Sequence, residues 1–395
     1  MMNELNLSEL LAEAKRHQVA CILLSNGYAD VHGKYHVLAG FGAENEWREP
    51  EKLSYSDEFL MGFCGYDLKN VFEKLHSVHP AAVSVPDFYF FKPQLYYRHL
   101  RNGKIESNLI SKAGEEVAAH KPLEVDFTCK TSVADYLKNV DRIKECIVRG
   151  DFYEMNYCLE FSADGDFDPY SIFYRLNTMA PAPFASFFKF NDRYLMCSSP
   201  ERFLAKRQDK LVSQPIKGTR KRGAENDEGT VSELMNNEKD RAENVMITDL
   251  VRNDLSRVCE PGSVVVDELC KVYSFSHVHQ MISSISGELR KNTSFSDILR
   301  ATFPMGSMTG APKIQVMKDT ETFENFKRGW YSGCVGYLEK GDFDLNVVIR
   351  SLQMIKGAGC LHYHVGGAIT IDSNAEEEYQ ECMHKAAGMI QALRG

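Results

Sequence analysis

No run of this chain approaches 18 consecutive apolar residues, so no segment is expected to cross a membrane as a helix. The first residues, MMNELNLSELLAEAKRHQ, are polar and amphipathic and lack the apolar core of a secretion signal. Excess basic charge is missing as well. Lysine and arginine number 46 against 55 aspartates and glutamates, a formal charge of −9, which argues against a nucleic-acid binder with a broad basic surface. The eleven cysteines are scattered, odd in number and never spaced C-x-x-C, so neither a disulfide framework nor a zinc ribbon is expected. Reduced thiols in a cytoplasmic protein are the expectation. Low-complexity tracts and repeats are absent. What is present is ordinary for a folded chain: 44% apolar side chains give ample material for a core and exclude disorder as the dominant state.

Short apolar runs such as CILLSNG (21–27) and YHVLAGFGA (35–43) alternate with turn residues over 1–120. The charged, small-residue stretch ISKAGEEVAAHKPLEV (110–125) reads as a linker, dividing an N-terminal lobe, 1–120, from a larger region, 121–395. Helical spacing is expected over 68–78, over 131–151, over about 231–258 and over about 375–393. In the second of these Tyr136, Val140, Ile143 and Ile147 share a face, and Gly150 supplies a stop. Strand-like runs include EMNYCLEFSA, FASFFKFNDRYLMCSS, GWYSGCVGYLE and CLHYHVGGAITI. They come without regular β-α-β alternation, which favours an α+β fold with antiparallel sheets.

Two helices carry carboxylates on or beside their apolar faces. At about 100° per residue, Tyr379, Cys382, Met383, Ala386, Met389, Ile390 and Leu393 form one core face, bordered by Glu378, Glu381 and Lys385. Ser373 or Asn374 can cap this helix, with Glu376 or Glu377 three residues on, which accounts for the latter pair. An exposed Glu381–Lys385 ion pair is an alternative for its partner residues. In ELMNNEKDRAENVMITDLVRNDLSRV, Asp240, Glu243 and Asp254 project within an arc shared with Met246, Ile247, Leu250, Val251, Leu255 and Val258. Buried charge is costly unless it is paired or ligates a metal. Oxygen donors from two helices suit a hard cation that retains waters, Mg²⁺; a buried ion pair with an arginine such as Arg252 is the alternative.

QPIKGTRKRG (214–223) sets Lys217 after a strand, near Arg220, Lys221 and Arg222. Crowded cations lower a lysine's pKa and leave more of it as nucleophilic free amine; a basic solvated turn is the alternative. FPMGSMTGAPK (303–313) lacks the spacing of a P-loop, but amides at Gly306, Ser307 and Gly310 can cradle a carboxylate. Gly366 and Gly367 within a strand mark close approach of a ligand or another backbone. His277 and His279, like His362 and His364, share a strand face without a third ligand and read as structural or solvated.

Taken together, SSPERF (198–203), PIKGTRKRG (215–223), KDRAENVMITDLVRNDLSRV (239–258), FPMGSMTGAPK (303–313), RGWYSGCVGY (328–337), VVIRS (347–351) and GGAITIDSNAEEEYQECMHKA (366–386) resemble the chorismate-utilising enzymes. This family includes anthranilate synthase component I, aminodeoxychorismate synthase component I, and the isochorismate and salicylate synthases. The resemblance is strong over about 130–395 and weaker over 1–120. It implies two antiparallel sheets packed as a sandwich with helices outside, the N-terminal lobe being interleaved with a catalytic region that binds chorismate. It implies Glu243 and Glu381 as Mg²⁺ ligands, with Asp240 and Glu378 close by. It places Gly218, Thr219, Ser307, Tyr331, Arg350, Gly366, Gly367 and Lys385 around the substrate, and makes Glu201 the general acid for the departing 4-hydroxyl.

Lysine at 217 resembles the aminodeoxychorismate synthase branch, which typically reads P-I-K-G-T where the other branches usually have alanine. The implied chemistry is covalent attack by Lys217 on C2 of chorismate, then amination at C4, toward p-aminobenzoate and folate. Ammonia would come from a separate glutamine amidotransferase subunit, since GFCGYD (62–67) is not a glutaminase elbow. Production of anthranilate plus pyruvate, and a non-catalytic chorismate-binding subunit, are the competing readings. Three departures stand out. Gln280 replaces the family's usual histidine, Glu154 stands where relatives often have glutamine, and Leu23, Leu24 and Ser25 keep only part of a tryptophan pocket.

Overall fold

Alternate side chains of the strands Phe59–Cys64 and Phe88–Leu100 enter different cores, and this parity sets the layering. Leu60, Cys64, Phe88 and Phe90 pack against Ile247, Val251, Leu255, Ile298 and Leu299 from helices on one side. Met61, Phe63, Tyr89 and Phe91 turn the other way, onto Phe188, Phe190, Leu195 and Cys197. The strands that carry those partners send Phe187, Tyr194 and Met196 to their own far face, against Tyr136, Val140, Leu176, Ala386 and Leu393. The order is therefore helices, strands, an aromatic middle, strands, helices. In the middle, Phe63 meets Phe188 and Trp330 edge-on at 5.0 and 5.3 Å, and Tyr89 meets Phe190 at 4.7 Å.

The computed structural model describes residues 4–53, 58–109, 123–222, 227–275 and 278–394. Most of the expected linker at 110–125, and His277, lie outside them. Hydrogen bonding corrects the expectation of two separate sheets: among the described residues nineteen strands form one continuously paired array, and every pairing between them is antiparallel. The reason lies in residues 19–100. Val19–Leu24 pairs with Phe184–Phe190, while Phe59–Cys64 pairs with Cys334–Glu339. The early strands thus stitch the two layers together, and the array folds back on itself around the aromatic middle.

Local chemistry accounts for the helix ends. Ser132 caps Val133–Arg149 by accepting from the Asp135 amide, and Gly150 ends it at φ +86°. The long helix expected near 231–258 is two, Asp227–Asn236 and Glu238–Ser256, because the Asn237 side chain caps the second through the Asp240 amide. The helix expected over 68–78 shrinks to Lys69–Glu73 and stops at Lys74, whose φ is +52°. Asn374 accepts from the Glu377 amide and caps the last helix, Ala375–Arg394. No helix among the described residues is long and apolar enough to cross a membrane.

Phe63 is fully buried at the centre of the ring cluster. Phe63→Ala should cost about 3–5 kcal/mol, read as a lowered denaturant midpoint, whereas truncating exposed Val31 should change it little.

Candidate active site

The strand Ile216–Lys221 pairs with Val278–Glu288 and lays Lys217 into the interior. Its Nζ donates to Glu154 Oε1 at 2.9 Å, with 11% of the lysine side chain and 1% of the glutamate side chain exposed. Glu154 opens the strand Glu154–Asp164, and its second oxygen is buried without a hydrogen-bond partner. This corrects the expected surroundings of Lys217. The nearby cations are occupied elsewhere: Arg220 binds Glu233 and Asp240, and Arg222 binds Asp227. Burial alone favours the free amine, but Glu154, Glu243 and Glu201 outweigh it and raise the lysine pKa above its ordinary value. The resting side chain is an ammonium in a ring of carboxylates, not a free amine.

Glu201 sits between the strands Arg193–Ser199 and Arg202–Arg207 and is 4% exposed. Burial pushes its carboxyl up to about 7 against the opposing pull of the Ser307 hydroxyl, Lys217 and Arg350. Ser307 Oγ donates to Glu201 Oε1 at 2.7 Å. The cavity beside this pair is only about 20 Å³, room for about one water. A carboxyl near 7 is poised to donate a proton at neutral pH.

The helices Glu238–Ser256 and Ala375–Arg394 bring up the acidic wall. Burial, with Glu154 and Glu381 nearby, pushes Glu243 up to about 7 even though Lys217 and Lys239 oppose it. Glu378 is buried and accepts from Lys239 Nζ at 3.0 Å and Ser373 Oγ at 2.8 Å. Lys239 Nζ also lies 4.0 Å from Glu243, so one ammonium bridges carboxylates of the two helices. Asp240 accepts from Arg220 at 2.7 Å, and Glu381 is half exposed and paired with Lys385 at 2.7 Å, the alternative weighed for it above. Among the described residues no group of three acidic, histidine or cysteine side chains forms a ready-made metal cage, although a hard cation that keeps several waters needs only one or two carboxylates. Asp254, singled out with Glu243 by helix spacing, is instead a buried ion-pair partner of Lys313 at 2.5 Å; Arg252 pairs with exposed Asp249.

The remaining expected residues divide. A Cβ on Gly367 would come 3.5 Å from Glu378 Oε2, and one on Gly218 would come 3.1 Å from the Asp240 side chain, so both glycines border the acidic wall. Gly366 lies against Cys158, and its carbonyl accepts from Lys385 Nζ at 3.0 Å. Arg350 is exposed, in the electrostatic reach of Glu201, and its guanidinium has no partner among the described residues. Tyr331 is buried and stacks on His364 at 5.2 Å. Thr219 is exposed, opposite Gln280 in the ladder, and is not drawn into the cluster. A Cβ on Gly310 would sit 2.0 Å from the Glu154 carbonyl oxygen, so this glycine serves close packing. The histidines are structural. His279 meets Asp227 at 2.8 Å, His362 meets Glu160 at 3.0 Å, and burial pushes His364 down to about 3. Leu23, Leu24 and Ser25 line a separate cavity of about 70 Å³.

Two members of the cluster were missed as site residues, Glu154 and Lys239. The signal for Glu154 was a carboxylate heading a strand that is otherwise almost wholly buried. Lys239 left no such mark, because its tip is exposed and its role comes from a helix 139 residues later.

The family described as chorismate binding enzyme matches residues 12–391. The chain belongs to that family. This chorismate binding enzyme is 35% identical over 379 residues to the anthranilate synthase component 1 of Saccharolobus solfataricus, covering 93% of this chain and 88% of that one. It is 32% identical over 360 residues to the aminodeoxychorismate synthase component 1 of Bacillus subtilis, covering 84% and 76%. The crystal structure of anthranilate synthase component I from Streptococcus pneumoniae matches with a TM-score of 0.75 at 25% identity, over 98% of this chain and 86% of that one.

The raised carboxyl of Glu201 has a measurable consequence. Its folded value lies near 7 and its ordinary value near 4.5. Stability tied to the protonated acid is therefore complete below 4.5 and is lost as pH rises through 7. Glu201→Gln, which mimics the protonated form, should match the parent at pH 4.5 and exceed it at pH 8 by about 3 kcal/mol in chemical denaturation; equal stabilities at both pH values would contradict this.

Proposed function

We propose that this chorismate binding enzyme aminates chorismate at C4, giving 4-amino-4-deoxychorismate, with ammonia supplied by a partner glutamine amidotransferase. The observation that carries the reading is Lys217 Nζ inside the pocket, between Glu154 and the acidic helices, rather than in solvent. Hydroxide is a poor leaving group, so Glu201 protonates the departing 4-hydroxyl, with Ser307 holding the carboxyl in place. Lys217, once it has lost its proton, bonds to C2 as the C4–O bond breaks and water leaves. Ammonia then adds at C4 and expels the lysine, leaving the enolpyruvyl group intact.

The unpartnered Arg350 guanidinium, with Lys385, receives the substrate's carboxylates, while Gly366 and Gly367 leave room beside them. Glu243 and Glu381, backed by Asp240 and Glu378, are the residues that would hold Mg²⁺; the all-oxygen donor set and the ammonium now standing between the helices fit a hard cation. The ion would supply positive charge to the C1 carboxylate. Lys239, whose side chain is 56% exposed, can withdraw to water to make that place available.

A second reading, conversion of chorismate to anthranilate and pyruvate, is favoured by the likeness to the Saccharolobus protein. Product analysis separates the two. The purified chain with chorismate, Mg²⁺ and an ammonium salt should yield aminodeoxychorismate, and Lys217→Ala should reduce that product at least 100-fold. Anthranilate with stoichiometric pyruvate would reject the proposal. Chorismate binding without turnover, with a competent glutaminase added, would point to a non-catalytic subunit.

A further inference from the structure

An ammonium cannot attack carbon, so Lys217 must hand its proton to another group before the first bond forms. The pocket offers four carboxylates. Glu201, on the turn between two strands, is held by Ser307 and is needed as an acid at the leaving oxygen. Glu243, from the helix Glu238–Ser256, and Glu381, from the last helix, act on Lys217 through space and face Lys239 and Lys385. Only Glu154 among these places an oxygen in hydrogen-bond contact with Nζ, at 2.9 Å.

Glu154 is also built to stay there. Its strand pairs Ala311 opposite Glu154, the Tyr153 amide donates to the Ala311 carbonyl at 2.7 Å, and Gly310 packs against the Glu154 carbonyl where a Cβ would not fit. Its carboxylate is 1% exposed, and Oε2 has no donor. A buried carboxylate without a second donor has unused capacity for a proton. Two opposite charges out of water are costly to keep, whereas the neutral acid–amine pair carries no such penalty.

We propose that Glu154 is the base that takes the proton from Lys217 and returns it when the lysine is released. The inference rests on Lys217 being the nucleophile, as proposed above. In the first step an Nζ–H bond breaks and its proton passes to the Glu154 carboxylate. The freed electron pair forms the Nζ–C2 bond, the ring double-bond pairs shift along, and the C4–O bond breaks with a proton from Glu201, so that water departs. In the second step ammonia bonds to C4 and gives its surplus proton to the Glu201 carboxylate. The pairs shift back, and the C2–Nζ pair returns to lysine, which takes back the proton held on Glu154 and is again an ammonium. No oxidant or reductant is required.

The test is the rate of the Lys217 adduct, measured by rapid quench with chorismate, Mg²⁺ and mass spectrometry of the Lys217 peptide, from pH 6 to 9. Glu154→Gln keeps the shape and removes the base. At pH 7 it should form the adduct about 100-fold or more slowly. The ratio of parent to variant rates should then shrink about tenfold per pH unit, because the variant must lose its proton to solvent; taking the ratio cancels the titration of Glu201. Glu154→Asp, which retains a carboxylate, should keep a constant ratio to the parent at every pH. Chorismate affinity, measured by titration calorimetry, should stay within a few-fold in both variants. A Gln variant as fast as the parent, or slower by the same factor at every pH, overturns the role of Glu154 alone. A parent that turns chorismate over without any adduct on Lys217 overturns the nucleophile and its base together.

Discussion

One ammonium enclosed by carboxylates is the interaction on which this pocket depends. Lys217, Glu154, Glu201 and Glu243 come from a strand, a second strand, a turn and a helix, and none of them reaches bulk water freely. Removing the lysine charge from such a set leaves its carboxylates buried without a counter-charge, which costs several kcal/mol. The same burial that makes the set expensive also separates its members' behaviour. Glu201 and Glu243 are pushed up to about 7, while Lys217 is held charged. Carboxyls held near neutrality and a lysine held charged are thereby sorted by environment within one cluster.

The folded array is what makes this convergence possible. The strand Glu154–Asp164 runs beside Cys360–Ile369, so Glu154 lies a few residues along the ladder from Gly366 and Gly367. The strand carrying Lys217 pairs with Val278–Glu288, against which the helix bearing Glu243 packs through Asn244 and the Met281 carbonyl. Rigid strands and helices hold these charged groups, and this precision is what a site of several charged groups requires. A single continuous hydrogen-bonded array, closed over an aromatic middle, lets strands distant in sequence share that frame.

Periodicity revealed much of this and misled in instructive places. The carboxylates Glu243 and Glu378 could be picked out because a helix turns a fixed amount per residue, so a charge on the apolar side declares itself. Asp254 declared itself in the same way and is simply neutralised by Lys313, a residue 59 positions away that no helical spacing can reveal. Lys217 failed for the converse reason. Its sequence neighbours are basic, but Arg220 and Arg222 bind Asp240, Glu233 and Asp227, while the groups that reach its amine come from positions far along the chain. The division into two sheets failed because strand pairing between residues 19–100 and the later strands is non-local. The break at Asn237 was hidden because a capping side chain interrupts a helix without disturbing the apolar pattern on either side.

The state of the Lys217 amine tests this account most directly. The protein labelled with ¹⁵N at its lysine side chains, with Lys217 assigned through the Lys217→Arg spectrum, can be titrated in the absence of chorismate. The carboxylate cage predicts that Lys217 keeps its proton beyond the ordinary lysine value of 10.5. A Lys217 that titrates below that value would mean the amine is not enclosed by carboxylates, and the arrangement derived from it would be wrong.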